Sequence, residues 1–386
     1  MAAMITLLAM IVAMTPLAID MYLPAMPTIA TDFNTPLADV QRSLTTFLIG
    51  FAAGQLVHGP LSDGLGRRPV MLGGLALFVV ASAAAAIATT VESFMIWRVV
   101  QAFGGAAGSV VINAIITDKF DGPAAIKVRS AILSVMLVAP LLAPSVGSFL
   151  LHLGDWHAIY WVLAVYGTVA LAWSWRAFGD LAPGVGGTNL LALFRRYKVV
   201  LTEPKGWLWF IGMAFHASTM FAFIAGSPYL YMEYFGASPQ LYGILFAANV
   251  VVMATCAFFN GRLAGRAQAR VVLRRAQTVQ LMALISLVAL VASGLGQLLT
   301  IVPLMALAIG VNSFVFPNAT QQVMELFRTN AGTASALLGA SQFGMGALAS
   351  GLVTLGNDHG PLPMVVLMAT TCTLAFSLVG LACRQK

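Results

Sequence analysis

Charge is what this 386-residue chain has least of: Lys, Arg, Asp and Glu together make up 9% of it, against about 25% in an ordinary soluble domain. So few charged side chains cannot cover a water-soluble globule of this length, and a soluble fold is excluded. Acids are the scarcer sign, 13 against 20 Lys and Arg, for a net charge of +7. A basic balance can mean nucleic acid, but here the basic residues sit in short loops between apolar runs, where they act as topology signals. Nucleic acid is therefore not expected as a partner. Only three cysteines are present, Cys256, Cys372 and Cys383, far apart and without CxxC spacing, so neither a disulfide framework nor a thiolate metal site is indicated. The chain also lacks a Walker-type phosphate loop, an HExxH pair and a Ser-His-Asp candidate, which argues against an enzyme and against a bound cofactor. His152 and His157 flank Asp155, but no third ligand follows at a usual spacing, and no metal is expected there.

Apolar sequence is what the chain has in abundance, 60% of its residues. Read in windows of about 19 residues, it contains twelve runs long enough to cross a bilayer, near 3–24, 41–62, 69–90, 93–115, 129–152, 157–178, 206–231, 239–260, 274–294, 298–322, 330–356 and 361–382. An all-α membrane protein of twelve transmembrane helices is implied. No basic residue precedes the first run and no small-residue cleavage site follows it, so it is expected to stay as a span and not to be cut as a leader. With both termini cytoplasmic, every basic residue except Arg42 and Arg98 falls in an inner loop or the inner tail, which satisfies the positive-inside rule.

The longest inner connection divides the chain into an N-terminal six-helix half (1–178), a linker (179–205) and a C-terminal six-helix half (206–386). Within the linker, Asn189 to Leu201 reads as a short amphipathic helix on the membrane face. The Gly59–Arg68 loop after span two has a weaker echo, Asn260–Arg266, after span eight. Duplicated six-span units place a substrate site near mid-membrane at their interface, so the pattern points to a secondary transporter.

Two charged residues lie inside spans. Asp20 is 16 residues past Met4, about 24 Å along a core of about 30 Å. Arg98, in the antiparallel span four, sits on the order of 8 Å below the outer surface, at a similar depth. A carboxyl whose proton affinity is set by desolvation on one side and a guanidinium on the other meets the physical requirement of a proton-coupling site. The alternatives are that Asp20 caps the broken end of span one before Pro24 and that Arg98 snorkels to the outer headgroups.

Five segments, in order, resemble the major facilitator superfamily and, within it, the drug/proton antiporters of the Bcr/CflA (bicyclomycin and chloramphenicol resistance) type. Asp20-Met-Tyr-Leu-Pro-Ala-Met-Pro27 is similar to the end of span one in that branch. Gly59-x3-Asp63-x2-Gly66-Arg67-Arg68 resembles the loop signature between spans two and three. Arg98-x2-Gln101-x2-Gly104 resembles the span-four motif, and Val138-Ala-Pro140-x3-Pro144-x2-Gly147 the antiporter motif of span five. Phe316-Pro-Asn-Ala-Thr320 with Ala331–Gly339 is similar to the span ten to eleven segment. Gly64 stands where the loop signature usually has Arg, and Thr117 precedes Asp118 where the family often has Arg.

The resemblance implies two pseudo-symmetric halves that rock about a central cavity, a proton gradient as the energy source, and Asp63 facing the start of span eleven near Thr329 and Asn330 as part of an inner gate. It gives Pro140, Pro144 and Gly147 the role of a seal against proton leak, for which an architectural kink is the plain alternative. Spans one, four, seven and ten line the cavity in this superfamily, which promotes Tyr22, Gln101, Asn113, His216 and Asn318 as substrate contacts. Helix–helix hydrogen bonding is the plain reading of each.

The expected protein is a proton-coupled exporter of small neutral or monocationic amphipathic compounds, monomeric, in a bacterial inner membrane. Its partners are a drug-like small molecule, protons and the lipid bilayer. The same machine used on a metabolite, siderophore or amino acid, in either direction, is the alternative. A membrane-embedded enzyme or sensor is a third and lacks the side chains it would need.

Overall fold

A computed structural model describes residues 2–120, 122–179, 197–264, 266–356 and 360–384. Arg195, Arg196, Asp358, Lys386 and most of the expected Asn189–Leu201 helix lie outside these residues, as do the side chains of Thr117, Asp118 and Thr329. The described chain is helical nearly throughout, and its helices follow from the apolar runs, because backbone polar groups in hydrocarbon must be satisfied within the helix. The first group comprises α1 (Ala2–Asp20), α2 (Met26–Asp32), α3 (Leu37–Leu65), α4 (Arg67–Ala86), α5 (Val91–Lys119), α6 (Gly122–Leu153) and α7 (His157–Ala177). The second comprises α8 (Pro204–Pro228), α9 (Pro239–Leu263), α10 (Ala269–Ala292), α11 (Leu298–Gly310), α12 (Asn312–Leu326), α13 (Ala331–Leu355) and α14 (Leu362–Arg384).

Among the described residues eleven stretches are long and apolar enough to span a membrane, and the apolar part of α6, Val138–Leu153, makes a shorter one. Two spans depart from their sequence-based outlines. The first continues past Asp20 through a 3-10 turn, Leu23–Ala25, into α2; Pro24 and Pro27 sit at the starts of these two pieces, where a missing N–H has no helical partner to lose. The tenth is made of α11 and α12, which meet at Val311.

The chain packs as two compact units, Met1–Pro36 with Thr46–Lys198, and Leu37–Thr45 with Val199–Lys386. In the first, α4 lies along α5 and α7, and α1 along α6. Phe33, Phe94, Trp156 and Tyr160 form an aromatic cluster with ring centroids 5.2–6.0 Å apart, edge-to-face except for the tilted Phe33–Phe94 pair. Pairs of this kind contribute about 0.5–1.5 kcal/mol each beyond the area they bury. Asp32 accepts a hydrogen bond from the Trp156 indole at 3.1 Å, which ties α2 to the start of α7. In the second unit α8 is the central helix, against α13 and α14. The first turns of α3 belong to this unit: Gln41 donates to the Ala225 carbonyl at 2.8 Å and Thr45 to Ser350 Oγ at 2.9 Å.

Candidate functional site

Among the described residues Asp20 is the only buried acid and Arg98 the only buried Lys or Arg, with 4% and 0% of their surface exposed. Asp20 is the last residue of α1, and the chain turns immediately beyond it. Arg98, two turns into α5, donates from one terminal nitrogen to the Ala18 carbonyl at 2.9 Å and to Gln101 Oε1 at 2.6 Å. Its guanidinium carbon lies over three aromatic rings, Phe47 at 4.3 Å, Tyr22 at 4.4 Å and Tyr160 at 5.9 Å. Each such contact, once desolvated, stabilises the cation by about 2 kcal/mol, which offsets part of the several kcal/mol that burying an ion costs.

Gln101 is the clamp of this arrangement. Its oxygen accepts from Arg98, and its nitrogen donates to Ser82 Oγ at 2.8 Å, which in turn donates to the Phe78 carbonyl at 2.7 Å. With both ends of its amide engaged, Gln101 holds Arg98 in place more than it offers itself to a ligand. What remains open is specific: Asp20 Oδ1, Arg98 Nε and its second terminal nitrogen, and the Tyr160 hydroxyl are buried with no hydrogen-bond partner. No ion pair joins Asp20 to Arg98 among the described residues. A carboxyl in this setting is completed by a proton, or by a donor that water or a ligand brings.

Two further features of the sequence converge here. Tyr22 is buried against Arg98 and lies 6.4 Å from Tyr160. Gly147 packs on the backbone one residue past Asp20: a Cβ at this position would stand 1.8 Å from the Met21 carbonyl oxygen. The glycine therefore lets α6 touch the chain where α1 ends. Pro144 is buried and Pro140 half-buried in the same helix, which runs on through both.

The signature loop is a separate site. Asp63 and Arg67 form an ion pair across the α3–α4 turn, and Arg67 also donates to Ser62 Oγ at 3.1 Å. Gly66 holds the turn at φ 102°, ψ 157°, a region essentially reserved for glycine. Arg68 donates to the Trp175 carbonyl at 3.2 Å and lies over that ring at 5.2 Å, fastening α4 to α7. Gly59 is half-buried one turn earlier.

The other expected contacts are dispersed. Asn318 donates to Asn260 Oδ1 at 2.8 Å and to the Phe314 carbonyl at 2.7 Å, a bond between α12 and α9. Asn113 is exposed on α5 and donates to the Ser109 carbonyl at 3.2 Å. His216 is fully buried in α8, with neither ring nitrogen in a hydrogen bond, its ring 4.9 Å from Phe316 and the Asn312 amide near it. The same unit holds buried uncharged hydrogen bonds that sequence reasoning passed over. Gln280 donates to the Ala308 carbonyl at 2.9 Å and to Asn312 Oδ1 at 3.1 Å, and Thr219 bonds Thr371 at 2.9 Å. The available signal was Gln277 and Gln280, one turn apart on the same face of an apolar run.

The sequence profile of the Major Facilitator Superfamily matches residues 8–350. A bicyclomycin resistance protein homolog of Haemophilus influenzae is 30% identical over 93% of this chain and 91% of its own length. A chloramphenicol resistance protein of Pseudomonas aeruginosa is 31% identical over 100% of this chain and 91% of its own. Among solved structures, a D-xylose-proton symporter superposes with a TM-score of 0.77 at 14% identity, over 98% of this chain and 96% of that one.

Proposed function

The chain belongs to the major facilitator superfamily, and from that membership we propose that it is a proton-coupled exporter of small neutral or singly charged amphipathic compounds. It is a multi-pass membrane protein of a transporter family with antibiotic-resistance relatives. The finer reading places it in a bacterial inner membrane with both termini cytoplasmic, working by alternating access and catalysing no covalent chemistry.

The observation that carries the proposal is the buried carboxyl of Asp20, with an unpartnered oxygen, packed at the same level as a caged arginine that does not neutralise it. A titrating group in a coupled exporter must exchange its proton for something else. The open donors of Arg98 and the Tyr160 hydroxyl give a hydrogen-bonding ligand places to dock, and the aromatic cage gives it apolar surface. Drug entry and proton release then compete at one place, which is the thermodynamic requirement of antiport.

The experiment is drug-induced proton release in everted vesicles. Wild-type protein is expected to release protons on addition of a phenicol, and Asp20→Asn to release none. Wild-type flux from the Asn variant sinks the assignment.

A further inference from the structure

Pro60 lies inside α3, and the helix runs through it to Leu65. A proline has no N–H, so the carbonyl four residues before it, that of Leu56, loses its helical donor. In this structure another residue fills the place: the Tyr197 hydroxyl donates to the Leu56 oxygen at 3.0 Å, across 141 residues of sequence. Tyr197 opens the described part of the connection that leads from α7 to α8, and the first unit ends one residue later at Lys198. Its hydroxyl also lies beside Gly59, where a Cβ would stand 3.6 Å away. One turn further along α3 are Ser62, which donates to the Gly59 carbonyl at 3.0 Å, and Asp63, whose charge acts on the phenol.

We propose that Tyr197 is a positioning residue for the signature loop, a latch that holds the Asp63 end of α3 through the carbonyl Pro60 leaves open. The pair is complementary by design of the chain: a helix with its own donor at position 60 would not need the phenol, and without the phenol a half-buried carbonyl would go unpaired. The latch is not a pH switch. Burial and the nearby Asp63 carboxylate push the Tyr197 phenol up to about 12, so it keeps its proton and donates throughout the physiological range.

The logic of the missing donor supplies its own control. Tyr197→Phe keeps the ring and removes the hydroxyl. Pro60→Ala restores an N–H that bonds Leu56 in the ordinary helical pattern and makes the hydroxyl redundant; Pro60→Ser serves equally should the alanine variant express poorly. In purified full-length protein, Tyr197→Phe is expected to speed amide hydrogen exchange over residues 56–66 about five-fold, the equivalent of one net hydrogen bond. In the Pro60→Ala background the same substitution is expected to change nothing.

The kinetic arm rests on the transport reading. There Tyr197→Phe should lower the maximum export rate about five-fold with the half-saturating substrate concentration unchanged, and Pro60→Ala should cancel the loss. An equal effect of Tyr197→Phe in both backgrounds, or none in the wild type, overturns the latch. Exchange that behaves as expected in a protein that moves no drug leaves the latch standing and rejects the exporter.

Discussion

At the scale of single residues the two buried charges behave differently, and the difference sets what substitutions should do. Asp20 contributes no hydrogen bond from Oδ1 to its surroundings, so Asp20→Asn, which keeps the shape and removes the titration, is expected to fold normally. Its thermal midpoint in detergent should stay within a few degrees of wild type while proton release disappears. Arg98 is the opposite case. Its guanidinium lies over the Tyr22 and Phe47 rings while one nitrogen reaches two acceptors; a lysine carries the same charge without the plane or the fork. Arg98→Lys should therefore lose about 1–3 kcal/mol of stability, read by thermal unfolding, and at least about ten-fold in export. Wild-type melting and export from that variant would mean that charge alone suffices at this position. Both residues were legible in the sequence because a charge inside an apolar run is rare. Ser82, on which the Gln101 clamp closes, was not, since nothing in a lone span serine announces that it receives a side chain from another helix.

At the scale of elements, packing is decided by a few positions where backbone meets backbone. Gly147 is one. A methyl group there collides with the Met21 carbonyl oxygen, so Gly147→Ala must push α6 off the turn that carries Asp20. The expected result is a loss of about 1–3 kcal/mol and of transport together. Gly154→Ala just past the end of the same helix, where no atom stands within 4 Å of the new methyl, should be neutral in the same melting and export assays. Gly66 is limited by its backbone and not by its neighbours: at φ 102°, ψ 157° an alanine is strained by roughly 1–3 kcal/mol. Gly66→Ala should loosen the α3–α4 turn, seen as faster amide exchange over residues 62–68. The helices themselves were legible as apolar runs, with two exceptions. The extension of the first span through Pro24 and Pro27, and the meeting of α11 and α12 at Val311, depend on how the chain turns between packed neighbours, and window hydropathy does not see turns.

At the scale of the whole molecule, the distribution of charge restricts what can be carried. With Asp20 the only buried acid among the described residues, the interior pairs at most one positive charge, and in the proposed exchange that charge also yields to protons. A dication would carry one charge unpaired into a low-dielectric site at a cost of several kcal/mol. In an efflux-deficient host the protein is expected to protect against a phenicol and not against a divalent quaternary ammonium such as a viologen. Protection against the dication alone would refute the argument. Among the described residues the second unit has no buried Asp, Glu, Lys or Arg, and its buried polar groups, Gln280, Asn312, Thr219 and Thr371 among them, are amides and hydroxyls beside the imidazole of His216.

What the amino-acid sequence determined by itself is the set of properties that depend on composition over a run of about 20 residues: that the chain crosses a membrane many times, where most spans lie, and which charges are forced inside. Those follow from the cost of a charge or an unpaired amide in hydrocarbon, which is paid locally. Partnership was decided only by the tertiary structure. Arg98 is held by a carbonyl 80 residues away, and Tyr197 completes a helix 141 residues away. Asn318 is engaged by Asn260, and Asp63 pairs with Arg67 on its own turn. Each span offers several faces to its neighbours, and which polar group finds which partner depends on how the helices are rotated and stacked, a property that no run of residues holds alone.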